Sequence, residues 1–224
     1  MRQAARTLGN ILKLLPELTY FNVVSFGSKF TKLFPTSQPL TDAQRVRALL
    51  HVAGLTANMG GTDVLEPLKA VSKMPPRENS TRQVVLLTDG EVKNTQDVVK
   101  EARQGSHNTR IFSFGIGRDA DKELVTGLAR AGGGKAAFCI NSADIRTQVR
   151  AQVERALSPA LTNLNVWWYG LDAVQAPYKV RPIFHQEPYT MYGLVTKDNR
   201  FPDSRSARVF GKLPNGNNPI SSVH

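Results

Sequence analysis

Residues 84–91 read Val84-Val85-Leu86-Leu87-Thr88-Asp89-Gly90-Glu91, four apolar residues running straight into a polar turn. The apolar residues do not alternate with polar ones, so this strand is predicted to be buried on both faces. Such strands belong to parallel sheets covered by helices on both sides. In open sheets of that kind, ligands sit outside the carboxyl ends of the strands. Thr88-Asp89-Gly90 therefore reads both as the end of a central strand and as a candidate site.

Similar strands lie on either side: "YFNVVSFG" at 20–27, "RIFSFGIG" at 110–117 and "AAFCI" at 136–140. "KFTKLFP" at 29–35 reads as a short edge strand ended by Pro35. Between the strands run helical patterns. Ala4, Ala5, Leu8, Ile11, Leu12 and Leu15 share one helical face, and Pro16 ends that helix. Further helices are predicted from Thr41-Asp42 to Val52, after Asp63 to Met74, over 94–105 with Gly105 as the stop, over 119–131, and from Ser142 as cap to Leu157. Gly132-Gly133-Gly134 reads as a helix stop ahead of the next strand. Strand and helix alternate, which gives an α/β fold: a Rossmann-like, doubly wound, mostly parallel sheet spanning residues 1–158. Beyond Ser158 helical periodicity vanishes, and aromatic residues appear among prolines and glycines. Residues 159–212 are read as a β-rich extension and 213–224 as a disordered tail.

The chain of 224 residues is 41% hydrophobic and 21% charged, an ordinary globular balance. No apolar run approaches the roughly 18 residues that span a bilayer. The basic, amphipathic start, "MRQAARTLGNILKLLPEL", could serve a transit peptide but reads better as a surface helix. Cys139 is the single cysteine and sits in an apolar run, which suits a buried thiol in a reducing, cytoplasmic compartment. The formal net charge of +11 is spread along the chain, with no Arg-rich run. That reads as solvated helix faces and no specific nucleic-acid site, with a polyanion-binding surface as a further reading.

Gly115-Ile116-Gly117-Arg118-Asp119-Ala120 fits the G-x-G-x-x-A spacing of dinucleotide sites, after a strand and before a helix, and so opens the alternative of a nucleotide-binding enzyme. Against it, Asp119 and Asp121 place carboxylates where a pyrophosphate would lie. Gly132 to Ala136 lacks the Ser or Thr of a phosphate loop. The four histidines have no metal-ligand spacing, and no G-x-S-x-G elbow is present. No catalytic residue is assigned, and the chain is not read as an enzyme.

A second loop, Asn58-Met59-Gly60-Gly61-Thr62-Asp63, offers another hard oxygen. The Thr62 hydroxyl and the Asp89 carboxylate are donors of the type magnesium and manganese prefer. Each has a plainer use as well: Thr62 as a helix N-cap, and Asp89 in an Asx-turn before Gly90.

Taken in order, "FNVVSFGS", "NMGGTDVLEPL", "VVLLTDGEV" and "RIFSFGIG" resemble the von Willebrand factor type A (vWA) domain, over about Met1 to Leu157. Within that superfamily the wording is most similar to the intracellular group named von Willebrand factor A domain-containing protein 5. The resemblance implies a protein-interaction module with a metal-ion-dependent adhesion site (MIDAS). It places Thr62 and Asp89 among the metal ligands and Gly60, Gly61 and Gly90 in support. Glu91 is near enough to tune the charge. The family's third element, an Asp-x-Ser-x-Ser loop after a first strand, stands nowhere before Thr62. The expectations that follow are a truncated fragment with an incomplete adhesion site, a central strand missing, and weak or no binding of magnesium or manganese by this chain. In a full-length form the cation would take a carboxylate from a partner protein whose identity the sequence does not give.

Overall fold

The computed structural model describes residues 2–56, 60–75, 77, 80–158, 160–178, 180, 182–184, 188–198, 206–212 and 220–223. The chain divides into two compact units. One comprises Met1–Pro75 and Gln83–Leu157, the other Pro76–Arg82 and Ser158–His224.

The first unit is built on a three-stranded parallel sheet. Its strands are β5 (Arg82–Thr88), β6 (Thr109–Ile116) and β7 (Gly133–Cys139), in the order β5-β6-β7. Six helices accompany it: α1 (Arg2–Leu14), α2 (Asp42–Ala53), α3 (Leu65–Ser72), α4 (Thr95–Gly105), α5 (Lys122–Ala131) and α6 (Ser142–Leu157). The alternation of side chains along β5 sorts them onto the two faces. Val84 and Leu86 pack with Leu68 of α3, Val98 of α4 and Leu124 and Leu128 of α5. Val85 and Leu87 pack on the other face with Ile11 of α1 and Ile145, Val149 and Val153 of α6. This two-sided burial is why the strands read as unbroken apolar runs. All eight residues of β6 are buried, Phe112 and Phe114 completely. Each such side chain contributes about 1.5–3 kcal/mol from burial.

Several expectations change on inspection. Residues 20–27 do not form one buried strand. They give β1 (Tyr20–Phe21), antiparallel to β4 (Gln38–Pro39), and β2 (Val24–Phe26), antiparallel to β3 (Phe30–Lys32). The break falls at Asn22. Its side-chain amide donates to Phe34 O (2.8 Å), and its carbonyl oxygen accepts from the N–H groups of Phe34 (3.1 Å) and Val23 (2.8 Å). Gly133 and Gly134 are not merely a helix stop, because they open β7. A Cβ at Gly134 would lie 1.9 Å from Ile111 O, so only glycine permits this approach of β7 to β6. The helix read over 119–131 starts later, at Lys122, with Asp121 as its cap. At α6 the capping pair is Asn141 and Asp144. Asp144 N–H donates to Asn141 Oδ1 (3.0 Å), and Asn141 N–H donates to Asp144 Oδ2 (3.2 Å), a reciprocal box.

In the second unit, β8 (Ala160–Tyr169), β10 (Ile183–Phe184), β12 (Ser206–Lys212) and β13 (Ile220–Val223) form an antiparallel sheet in the order β10-β8-β12-β13. A separate antiparallel pair joins β9 (Leu171–Ala176) to β11 (Tyr192–Asp198). Trp167 packs against Tyr169 and Phe210, with ring centroids 6.0 and 5.1 Å apart. Strand β13 lies within the stretch expected to be disordered; residues 213–219 and 224 of that stretch lie outside the described residues.

Candidate functional site

Two loops meet at the carboxyl end of β5. The first is the turn after the strand. Gly90 N–H donates to Thr88 Oγ1 (3.5 Å), and the Thr88 hydroxyl donates to Gly90 O (3.4 Å). Thr88 is buried and Asp89 beside it is exposed. The Thr88 hydroxyl thus ties the turn that carries Asp89.

The second loop carries Gly60, Gly61 and Thr62; Asn58 and Met59 lie outside the described residues. Gly60 has φ +71°, in the left-handed region that favours glycine. Helix α3 does not use Thr62 as its cap. The Leu65 N–H is taken by Asp63 Oδ1 at 3.0 Å, and the capping position is Val64. The two loops touch: a Cβ at Gly90 would lie 3.2 Å from Thr62 Oγ1. The structure therefore brings together Thr62, Asp89, Gly60, Gly61 and Gly90 from segments about 30 residues apart in sequence.

This meeting point closes one end of a cavity of about 510 Å³. Its lining includes residues 22–26, Val85 and Leu87 of β5, and Leu8 of α1. Among the described residues, β2 and β5 belong to different sheets, and β5 stands at the edge of its own. Residues of both strands line the cavity.

The donor set at the site is one carboxylate with hydroxyl oxygens. These are hard ligands of the right kind for magnesium or manganese, which retain several waters and bind through one or two carboxylates. In donor type the set fits a hydrated divalent ion. Among the described residues, no group of three or more His, Cys, Asp or Glu is arranged to hold a metal.

The other sequence candidates resolve differently. At Gly115 a Cβ would come within 2.7 Å of the Phe138 ring and 3.0 Å of Ala120 Cβ, so this glycine serves close packing. The N-terminus of α5 is capped by its own carboxylate, Leu124 N–H donating to Asp121 Oδ1 at 2.9 Å. That occupies the donor a pyrophosphate would seek. Cys139 is fully buried, and burial followed by the neighbouring Asp144 charge pushes its thiol up to about 11. One juxtaposition escaped the sequence: Ser25 Oγ lies 3.3 Å from His51 Nε2. Twenty-six residues separate the two, and no motif marks them.

Comparison with known proteins gives the family and the fold. Residues 2–138 match the model of the von Willebrand factor type A domain, and the chain belongs to that family. It is 34% identical over 211 residues to a von Willebrand factor A domain-containing protein of Dictyostelium discoideum, covering 94% of this chain and 22% of that protein. It is 33% identical over 199 residues to human von Willebrand factor A domain-containing protein 5A, covering 88% of this chain and 25% of that protein. The chain thus spans about a quarter of the length of these relatives. Among solved structures, a von Willebrand factor type A protein from Catenulispora acidiphila superposes with TM-score 0.66 at 18% identity, over 99% of this chain and 60% of that one. Proximal thread matrix protein 1 of the mussel byssus matches with TM-score 0.54 at 21% identity, over 68% of this chain and 40% of that one; its MIDAS motif is occupied by zinc. Domains of this family are generally protein-interaction modules. Among the described residues, no helix is long and apolar enough to cross a membrane.

Proposed function

We propose that this chain is a protein-interaction module without enzymatic activity, and that its contact point is the end of β5 where Thr62 and Asp89 meet. The observation that carries the reading is the contact of the two loops, with Thr62 Oγ1 set against Gly90. Thr62 and Asp89 supply oxygens to a hydrated magnesium or manganese ion. Gly60, Gly61 and Gly90 let both backbones come close to it. With one carboxylate in the set, an adhesion site of this kind is incomplete, and its cation is held weakly until a partner protein adds an acidic oxygen ligand. A single, fully buried cysteine suits a cytoplasmic setting.

Thermal unfolding followed by circular dichroism, in chelator and then in manganese, tests the reading. At a manganese concentration ten times the dissociation constant, mass action adds about 1.4 kcal/mol. That raises the melting temperature by about 3–6 °C for a domain of this size. The rise should vanish in Asp89→Ala. A rise of the same size in Asp89→Ala would place the ion elsewhere.

A further inference from the structure

We propose that Ser28 is a positioning residue for Thr62, and so sets the spacing of the Thr62–Asp89 pair. The inference rests on the cation reading above and adds a residue to it.

Strands β2 and β3 form a hairpin with Phe26 opposite Phe30, and its tip is Gly27-Ser28-Lys29. The tip is closed by Gly27 N–H donating to Lys29 O at 2.8 Å. The segment from Gly60 to Asp63 meets this tip at two places, by a hydrogen bond at one end and a close approach at the other. At the far end, Asp63 N–H donates to Gly27 O at 2.9 Å. At the near end, the backbone of Gly60 lies under the Ser28 hydroxyl. A Cβ at Gly60 would be 2.7 Å from Ser28 Oγ, and one at Gly61 would be 3.5 Å from it. Thr62 stands between the two places, and its own hydroxyl faces Gly90 across the site.

The order of contact is therefore Ser28, Gly60, Thr62, Gly90. The Asp63–Gly27 hydrogen bond ties this segment to the hairpin tip, so the Ser28 side chain sets where Gly60 rests against the tip. A change at Ser28 shifts Gly60 and moves Thr62 relative to Asp89. Ser28 itself is exposed at a turn, so its side chain contributes little to the core. That separates its effect on the site from any effect on the fold.

The test is a manganese titration of the full chain, read as paramagnetic broadening of the Thr62 and Gly90 amide signals in nitrogen-15 spectra. The variants are Ser28→Ala and Ser28→Thr. Ser28→Ala should weaken manganese by at most about tenfold, the lower end of what direct outer contacts of metal ligands do, because Ser28 reaches Thr62 only through Gly60. Its metal-free melting temperature should move by less than about 2 °C. Ser28→Thr keeps the hydroxyl and should restore most of the affinity. Metal-free spectra of Ser28→Ala should show shifted signals at Gly60, Thr62 and Gly90. Unchanged Thr62 and Gly90 signals in Ser28→Ala would overturn the proposal. If manganese broadens neither amide in the unaltered chain, the cation reading fails by itself. Ser28 is then judged on the metal-free shifts alone, and their presence upholds the positioning role.

Discussion

Strands β5 and β6 are neighbours in one sheet, yet they are used differently. Every residue of β6 is buried, and the strand is flanked on both edges. Most of β5 is only half-buried; it forms the sheet edge, lines the cavity, and ends in Thr88-Asp89. The comparison teaches that burial is divided unequally between adjacent strands, and on the proposed reading recognition falls to the less buried one. The inner strand fixes the fold because burial on all sides leaves it no alternative. The outer strand keeps side chains that line the cavity.

That division can be broken most severely on the β6 side. Gly134→Ala should prevent folding or leave an unstable chain, because the new methyl would meet Ile111 O at 1.9 Å. Soluble yield and circular dichroism will show this. Phe114→Ala should cost about 3–5 kcal/mol in denaturant unfolding, against about 1–2 kcal/mol for Leu87→Ala on the half-buried strand. Equal losses at the two positions would erase the distinction.

Arg110 is the second residue of β6 and is 2% exposed. Nε donates to Gly133 O (3.0 Å), Nη1 donates to Arg155 O (3.1 Å) near the end of α6, and the guanidinium lies over the Phe112 ring. Arg110→Met removes both donors and should cost about 2–3 kcal/mol from the orphaned carbonyls. Denaturant unfolding measures it. On the β5 side, Asp89→Ala should leave metal-free stability within about 0.5 kcal/mol, since Asp89 is exposed. It should nevertheless abolish the manganese-dependent rise in melting temperature.

The smallest effect concerns Cys139 at the end of β7. Its thiol is raised in the folded state from 9.0 to about 11. The folded chain therefore holds this proton more tightly than the unfolded chain. The associated stability is fully present below pH 9 and is lost as the pH rises towards about 11. Cys139→Ala should flatten the stability profile over that interval relative to the unaltered chain. A profile of the same slope in both would show that other groups account for it.

Much of this was legible in the sequence because it is local. The apolar run at 84–87 marks a strand that packs on both faces, though it is half-buried at the sheet edge and not central, and Thr41 caps α2 where expected, its side chain accepting from Gln44 N–H. The Gly-Gly-Thr and Thr-Asp-Gly loops were likewise picked out by residue type. Less visible were features that depend on what lies opposite. The split of residues 20–27 depends on Asn22 reaching Phe34, twelve residues away. The role of Gly134 depends on Ile111, and strand β13 depends on β12.

The sequence by itself determined the alternation of strands and helices, the family, and the two loops that carry Thr62 and Asp89, because hydrophobic period and turn chemistry are properties of neighbouring residues. Only the tertiary structure decided that Thr62 faces Gly90 and not the start of α3, that Ser28 lies against Gly60, and that β5 forms a sheet edge beside a cavity. Those relations are distances between segments remote in the chain. They are fixed by packing, to which every part of the fold contributes.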